Sequence, residues 1–471
     1  MSRFWMQVLA VCLLLPVQAP PAWAAIPLDR RIDAYIAPMV AARSFSGVVL
    51  LAQDGRVLVR KAYGLASQEL ESPHRIDSKF QLASASKPIT AAAVLKLVEQ
   101  RKIDLQAPIS AILPDYPNGE HITVHQLLTH TAGVPNVNQL PGYRELGLKR
   151  RTPAEIVAAF KDAKADFPPG TSLAYSNSNY VLLALIIEKV SGMTYGDFLR
   201  QEIFGPLGMT ASGHRGDDAA VLSHMSQGYL AEGRSGLSRP AWFDWTVKTG
   251  NGSLYSTADD LNRFVQGYFG GQVIGEELLK KAISPAPNLP ARAAGFDWMA
   301  REVGYGWMID QHLGRRRVYH PGNSPGFNAA IAYYPDDRLT VIVLSNIYIS
   351  NTVPLAEALA AMAFGHPLSP PLLADNPVAP TEIARLTGDY RFGGDFPDRR
   401  KTMTVFEEGG RLWLRPEGQG ATSSPLLPAG PLAYVVRSSW TGIRFDAQPA
   451  AKAAALVYTD GSSSYRAARV P

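Results

Sequence analysis

The chain has 471 residues, 46% of them hydrophobic and 18% charged, with a formal net charge of +5. That profile fits a soluble globular protein large enough for two domains, and it excludes a disordered chain. Basic residues cluster in short runs such as Lys149–Arg151 and Arg315–Arg317, too few for a nucleic-acid interface, and the second of these reads as a solvated edge.

In chain order, Arg3 precedes an apolar run from Val8 to Val17, followed by Ala22-Trp23-Ala24. The run is too short for a bilayer, which needs roughly 20 apolar residues, and the A-x-A pattern is that of a cleavage site. Residues 1–24 are therefore expected to be a signal peptide. The rest is expected to be exported, periplasmic or secreted, with no transmembrane segment after signal removal. The single cysteine, Cys12, lies in that segment, so disulfides, thiol catalysis and cysteine metal sites are excluded from the mature chain.

A helical pattern runs from Leu28 to about Arg43, with Ile32, Tyr35, Ile36, Met39 and Val40 on one face. GVVLLAQ and RVLVRKAYG flank Asp54-Gly55, a two-residue hairpin signal. After SASK an Ala/Val/Leu-rich helix is predicted to about Arg101. Residues 105–270 read mostly as helices and loops, with helices at Ala154–Lys161, Tyr180–Val190, Tyr195–Ile203 and Ala258–Tyr268. GYGWMID, RRRVYH, GFNAAIAYYP and RLTVIVLSN then predict an antiparallel meander, and a helix follows around Pro354–Phe364. Strands at both ends of this region should join in one antiparallel sheet, so residues 25–366 form one domain. Residues 367–380 read as a Pro-rich linker. In residues 381–471, GDYRF, KTMTVFEE, RLWLRPEG, LAYVVRSS, GIRFDA and AALVYTD predict a small all-β barrel or sandwich.

Two serines compete for the role of nucleophile. HPGNSPG contains G-x-S-x-G around Ser324, but the next residue is Pro325, which has no N–H to give an oxyanion hole, and the following segment alternates like a strand. Ser84 opens SASK, with Lys87 three residues later on the same helix face. A lysine desolvated there can lose its proton and activate the hydroxyl, and the helix N-terminus points N–H groups at a developing oxyanion. Tyr175-Ser176-Asn177 precedes a buried helix. Its phenol can exchange protons with Ser84 and the leaving group, and Asn177 can orient a substrate amide.

SASK, LLTHTAGVP, PGTSLAYSNSNY and HPGNSPGF, in this order, resemble the penicillin-recognising serine hydrolases, in the branch of class C β-lactamases, DD-peptidases, D-aminopeptidases and related esterases. The resemblance spans about Phe45 to Phe364. It implies an α+β fold: an antiparallel sheet flanked by helices plus an all-helical lobe, with the site between them. It also implies catalytic roles for Ser84 (nucleophile), Lys87 (its helix partner) and Tyr175 (general base and acid). Asn177, His320, Gly322 and Asn323 would bind substrate, the last through a second oxyanion N–H. Lactamases of this branch usually carry lysine where His320 stands. That favours peptidase, aminopeptidase or esterase chemistry on small amides or esters, above all D-amino-acid peptides such as peptidoglycan fragments. A class C-like β-lactamase, or a non-catalytic penicillin- or wall-binding protein of the same fold, is the alternative, and β-lactams are expected acylating ligands. Lys248-Thr249-Gly250 precedes a loop and helix rather than a strand, and reads as a decoy of the third motif. The appended β domain is expected to cover or narrow the cleft.

His121, His125 and His130 are spaced H-x3-H-x4-H. There is no H-E-x-x-H, and Ile122-Thr123-Val124 disfavours one helix through all three, so no metal site and no cofactor is expected.

Overall fold

In the computed structural model, the described residues are 26–216, 221–232, 236–293, 296, 299–349, 352–368, 373, 378–396, 401–417, 423–460 and 463–471. The expected signal peptide and most of the expected linker lie outside them. No helix among them is long and apolar enough to cross a membrane.

A seven-stranded antiparallel sheet is the frame of the first domain. Its order is Glu302–Val303, Met308–His312, Arg315–Ser324, Phe327–Tyr334, Leu339–Ser345, Gly47–Gln53, Arg56–Tyr63. The N-terminal hairpin thus docks onto the meander, Val49 facing Val343 across the join. The hairpin turns where Asp54 and Gly55 both adopt positive φ, as a type I′ turn requires. Central strands are buried on both faces, and alternate residues enter different cores. Val48, Leu50, Ile331, Ile342 and Leu344 face the catalytic helix and the helical lobe. Val49, Leu51, Ala332, Val341 and Val343 face the helices Leu28–Ala41 and Thr352–Ala363.

Arg317 departs from the solvated edge expected of the arginine run. It is buried between Asp310 (2.7 Å) and Glu357 (2.5 Å), tying the sheet to the Thr352–Ala363 helix. Strand alternation turns Arg317 inward, and paired carboxylates make that burial tolerable.

The C-terminal residues close an eight-stranded barrel. Two of its strands, Ser424–Gly430 and Ser463–Arg469, are additional to the six predicted. The first contains Pro425 and Pro428, which cannot donate to a ladder, and its pairing is irregular near Pro428. The helix Pro380–Leu386 leads into the barrel and buries Ile383 and Leu386 in its core.

Candidate active site

Ser84 sits in a tight 3₁₀ turn, Ala83–Ser86, that runs directly into the helix Lys87–Glu99. That helix is apolar on all sides because it passes through the middle of the core. From Gln81 to Thr90 only Ser84 is not buried. Ala83 before it holds a left-handed φ of 48°, a conformation that costs a non-glycine residue roughly 1–2 kcal/mol. The surrounding structure enforces it. Leu82 N–H donates to Leu254 O, and the sheet edge presses from the other side, where a Cβ on Gly322 would lie 2.0 Å from Leu82 O.

Four of the predicted residues, Ser84, Lys87, Tyr175 and Asn177, come together here. Lys87 Nζ donates to Ser84 Oγ (3.1 Å), and Tyr175 Oη donates to the same oxygen (2.9 Å). Lys87 Nζ also donates to Asn177 Oδ1 (2.9 Å) and Asn251 O (2.9 Å). Asn177 is the first residue of the helix Asn177–Ser191, and its Nδ2 donates to Asn138 Oδ1 (3.2 Å). Lys87 is fully buried and has no carboxylate partner among the described residues, so desolvation, and then the charge of Lys248, hold its pKa well below that of an ordinary lysine. Burial pushes the Tyr175 phenol up, although its hydrogen bond to Ser84 opposes this. The free site therefore holds a neutral phenol beside an amine that readily gives up its proton.

His320 is 3% exposed, its ring centroid 6.4 Å from that of Tyr175, and its Nδ1 lies 2.6 Å from Pro321 O. Burial, and then the Lys87 charge, lower its pKa to about 3, so it stays neutral rather than titrating near pH 7 as an exposed histidine would. It packs beside the phenol instead of forming the rim of the cleft. Gly322 abuts the nucleophile turn, and Asn323 follows with its side chain exposed, opposite Asn328. Ser324 is buried inside the strand, and its Oγ has no hydrogen-bond partner among the described residues.

Other parts of the site were not among the predicted site residues. His130 lies under Tyr175 (ring centroids 4.5 Å apart) and accepts from Ser176 N–H at Nδ1 (3.2 Å), which fixes the phenol. Burial keeps it neutral. His121 is exposed and His125 faces Tyr305, so the three histidines have separate surroundings. Lys248 is off the sheet, as expected of a decoy, yet it caps the wall of the site: Lys248 O accepts from Asn251 and Gly252 N–H, and Asn251 O accepts from Lys87. Only the fold shows this, because the contact is made by backbone.

Beside the nucleophile turn a cavity of about 670 Å³ is lined by Gln81, Arg150, Trp242, Phe243, Trp245 and Phe327, among others. All its described lining residues belong to the first domain. Among the described residues the barrel reaches it indirectly. Arg437 donates to Glu232 O (3.0 Å) and Arg43 O (3.1 Å), gripping one of the paired strands Leu230–Glu232 and Gly236–Ser238, which lead into the cavity wall. A larger cavity of about 1090 Å³, near His125 and Tyr305, contains none of the predicted site residues.

Residues 32–363 match the family model described as Beta-lactamase. Penicillin-binding protein 4* of Bacillus subtilis is 29% identical over 89% of this chain and 94% of its own. Among solved structures, the octameric penicillin-binding protein homologue from Pyrococcus abyssi superposes with a TM-score of 0.65 at 24% identity. It covers 93% of this chain and 99% of that one. The D-amino acid amidase from Ochrobactrum anthropi gives 0.64 at 24% identity, covering 72% of this chain and 99% of that one. These two likenesses are of fold. With the ordered motifs brought together around one serine and the family model matched over most of its length, the chain belongs to the beta-lactamase family.

Proposed function

We propose that the protein is an exported serine hydrolase that acylates Ser84 with small amides or esters, preferentially those of D-amino acids. The carrying observation is the pair of hydrogen bonds to Ser84 Oγ, one from a lysine whose pKa burial lowers and one from a neutral phenol.

Neutral Lys87 accepts the Ser84 proton as Oγ attacks the substrate carbonyl carbon. The negative charge on the carbonyl oxygen is held by the N–H groups of Ser84 and Asn323. Asn177 and Gly322 position the substrate chain, and His320 keeps the phenol in place. The C–N or C–O bond then breaks, with Tyr175 passing its proton to the leaving group and regaining one from the Lys87 ammonium. Water entering the vacated space cleaves the acyl-enzyme by the same relay. The D-amino-acid preference draws on the fold shared with the D-amino acid amidase. Export is supported by the sequence of residues 1–24.

The test is hydrolysis of nitrocefin, a D-Ala-D-Ala peptide, a D-aminoacyl anilide and a short-chain ester by wild type and S84A, with mass spectrometry after exposure to a penicillin. A Ser84 adduct, and turnover of the anilide or ester lost in S84A, are expected. Equal rates in the two proteins would refute the assignment.

A further inference from the structure

Lys248 is a buried cation that the reaction above does not use. It is 9% exposed, and its ammonium makes no hydrogen bond or ion pair among the described residues, so desolvation alone perturbs it. Its Nζ instead rests 5.2 Å from the ring centroid of Phe243 and 6.0 Å from that of Trp245. Those two rings pack against each other at 4.7 Å, and Trp245 meets Phe327 at 6.1 Å, so one aromatic cluster forms both the seat of Lys248 and a wall of the 670 Å³ cavity. An aromatic face offsets only part of the cost of burying an ammonium. On the same short loop Asn251 Nδ2 is a buried donor with no acceptor among the described residues.

The position is beside the chemistry. Asn251 N–H donates to Lys248 O, and Asn251 O accepts from Lys87, so one turn of backbone joins the two lysines. The cavity is basic at its rim. Arg150, Arg215 and Arg239 line it, Arg239 being already paired with Glu69. The one acid among its described lining residues, Asp244, is spent on Thr246, accepting from its N–H and its hydroxyl. Burial draws the Lys248 pKa down to about 8, which leaves the ammonium charged at neutral pH.

We propose that Lys248 is a specificity-determining residue whose ammonium receives a carboxylate carried by the substrate, while the Phe243–Trp245–Phe327 cluster takes the apolar part of the same group. The preferred substrates are then amides or esters bearing an anionic arm within reach of this loop, rather than neutral ones. Substrate binding supplies the counter-charge that the folded chain withholds, and Asn251 Nδ2 gains an acceptor. This rests on the acylation of Ser84 proposed above.

The experiment compares 4-nitrophenyl hydrogen glutarate with its neutral methyl ester, 4-nitrophenyl methyl glutarate. At low ionic strength kcat/KM in wild type is expected to favour the anionic ester by about tenfold or more, the worth of one charge-assisted contact. K248Q should cut the anionic rate about tenfold further than the neutral one, and K248R should restore part of the preference. A purely structural role for Lys248 would lower both rates together and overturn the proposal, as would equal rates for the two esters in wild type. Should K248Q fold poorly, inhibition of wild type decides instead. Free glutarate should compete with the neutral ester, and inhibition no stronger than that by glutaramide overturns the proposal. Turnover of the neutral ester through Ser84 without any charge preference removes this inference alone. No Ser84-dependent release of nitrophenolate from either ester removes the acyl-enzyme reading with it.

Discussion

Gly322→Ala tests whether the sheet edge and the nucleophile turn are held in register by a missing side chain. An alanine Cβ would lie 2.0 Å from Leu82 O and 3.0 Å from Ala85 N. Both are backbone atoms, so no side chain can swing aside. An ordinary carbon-to-oxygen contact is about 3.3 Å, so the strand or the turn must retreat by roughly 1.3 Å. A misplacement of about 1 Å at reacting atoms costs on the order of 100-fold in rate, whereas overpacking costs about 1–3 kcal/mol of stability. G322A is therefore expected to stay folded, melt a few degrees lower, and lose about 100-fold in kcat/KM on an ester hydrolysed through Ser84. Gly394, where a Cβ meets nothing within 4 Å, supplies a matched control whose alanine variant should keep wild-type rates. A G322A protein with kcat/KM within about threefold of wild type would show that strand and turn are not mutually constrained, and the steric account would fall.

Further outcomes follow from the same geometry. Tyr175→Phe keeps the ring over His130 but removes the hydroxyl at Ser84, and steady-state assay should show kcat reduced by about 10²–10⁴-fold with little change in melting temperature. His320 has a folded pKa of about 3 against 6.5 unfolded, so the unfolded chain binds the extra proton between these values and stability falls as pH drops through that window. Urea titrations of H320N should show about 2–3 kcal/mol less loss between pH 7 and about pH 4 than wild type; an identical loss would contradict the buried neutral histidine. Arg437→Met leaves the carbonyls of Arg43 and Glu232 without this donor, and calorimetry should register about 2–4 kcal/mol of destabilisation, with the barrel transition separating from that of the first domain.

What the sequence made legible is what local pattern encodes. Alternation gave the meander, Asp54-Gly55 gave the hairpin turn, and the order of short motifs gave Ser84, Lys87, Tyr175 and Asn177, which do converge. Contacts made by backbone were invisible. Nothing in the letters of NGSLYS announces that Asn251 O accepts from Lys87, or that Lys248 faces aromatic rings instead of solvent. His130 could have been found, since LLTHTAG places it in a motif, but its part in the site depends on stacking under a residue 45 positions away, for which a single sequence gives no signal. The Ser424–Gly430 strand was hidden by its prolines, because exclusion of proline from central ladders is a tendency that an irregularly paired barrel strand can break.

The absence of a carboxylate next to Lys87 is the electrostatic core of the proposed mechanism, and it can be tested by adding one. The described groups around the amine are Ser84, Asn177, the Asn251 carbonyl and the Tyr175 ring, whose centroid is 4.8 Å from Nζ, with Lys248 acting on it as a further positive charge. His130 and His320 nearby are held neutral by burial. Asn177 Oδ1, the Asn251 carbonyl and the ring favour the ammonium only as neutral partners, and desolvation outweighs them. Asn177→Asp changes one atom's identity at nearly constant shape and sets a negative oxygen 2.9 Å from Nζ. An opposite charge at that distance raises the pKa of an amine by about one to three units. Because neutral Lys87 takes the Ser84 proton, the rate falls on the acid side of the Lys87 pKa, and raising that pKa moves the fall to higher pH. N177D should be nearly inactive near neutrality and recover toward alkaline pH, with the acid limb of its kcat/KM profile displaced upward by about one to three pH units. K248Q, which removes a positive neighbour, should displace the same limb upward by less, because desolvation rather than Lys248 is the larger cause of the depression. Loss of activity in N177D at every pH, with an unmoved limb, would mean that Asn177 acts only through substrate and that Lys87 is not the base.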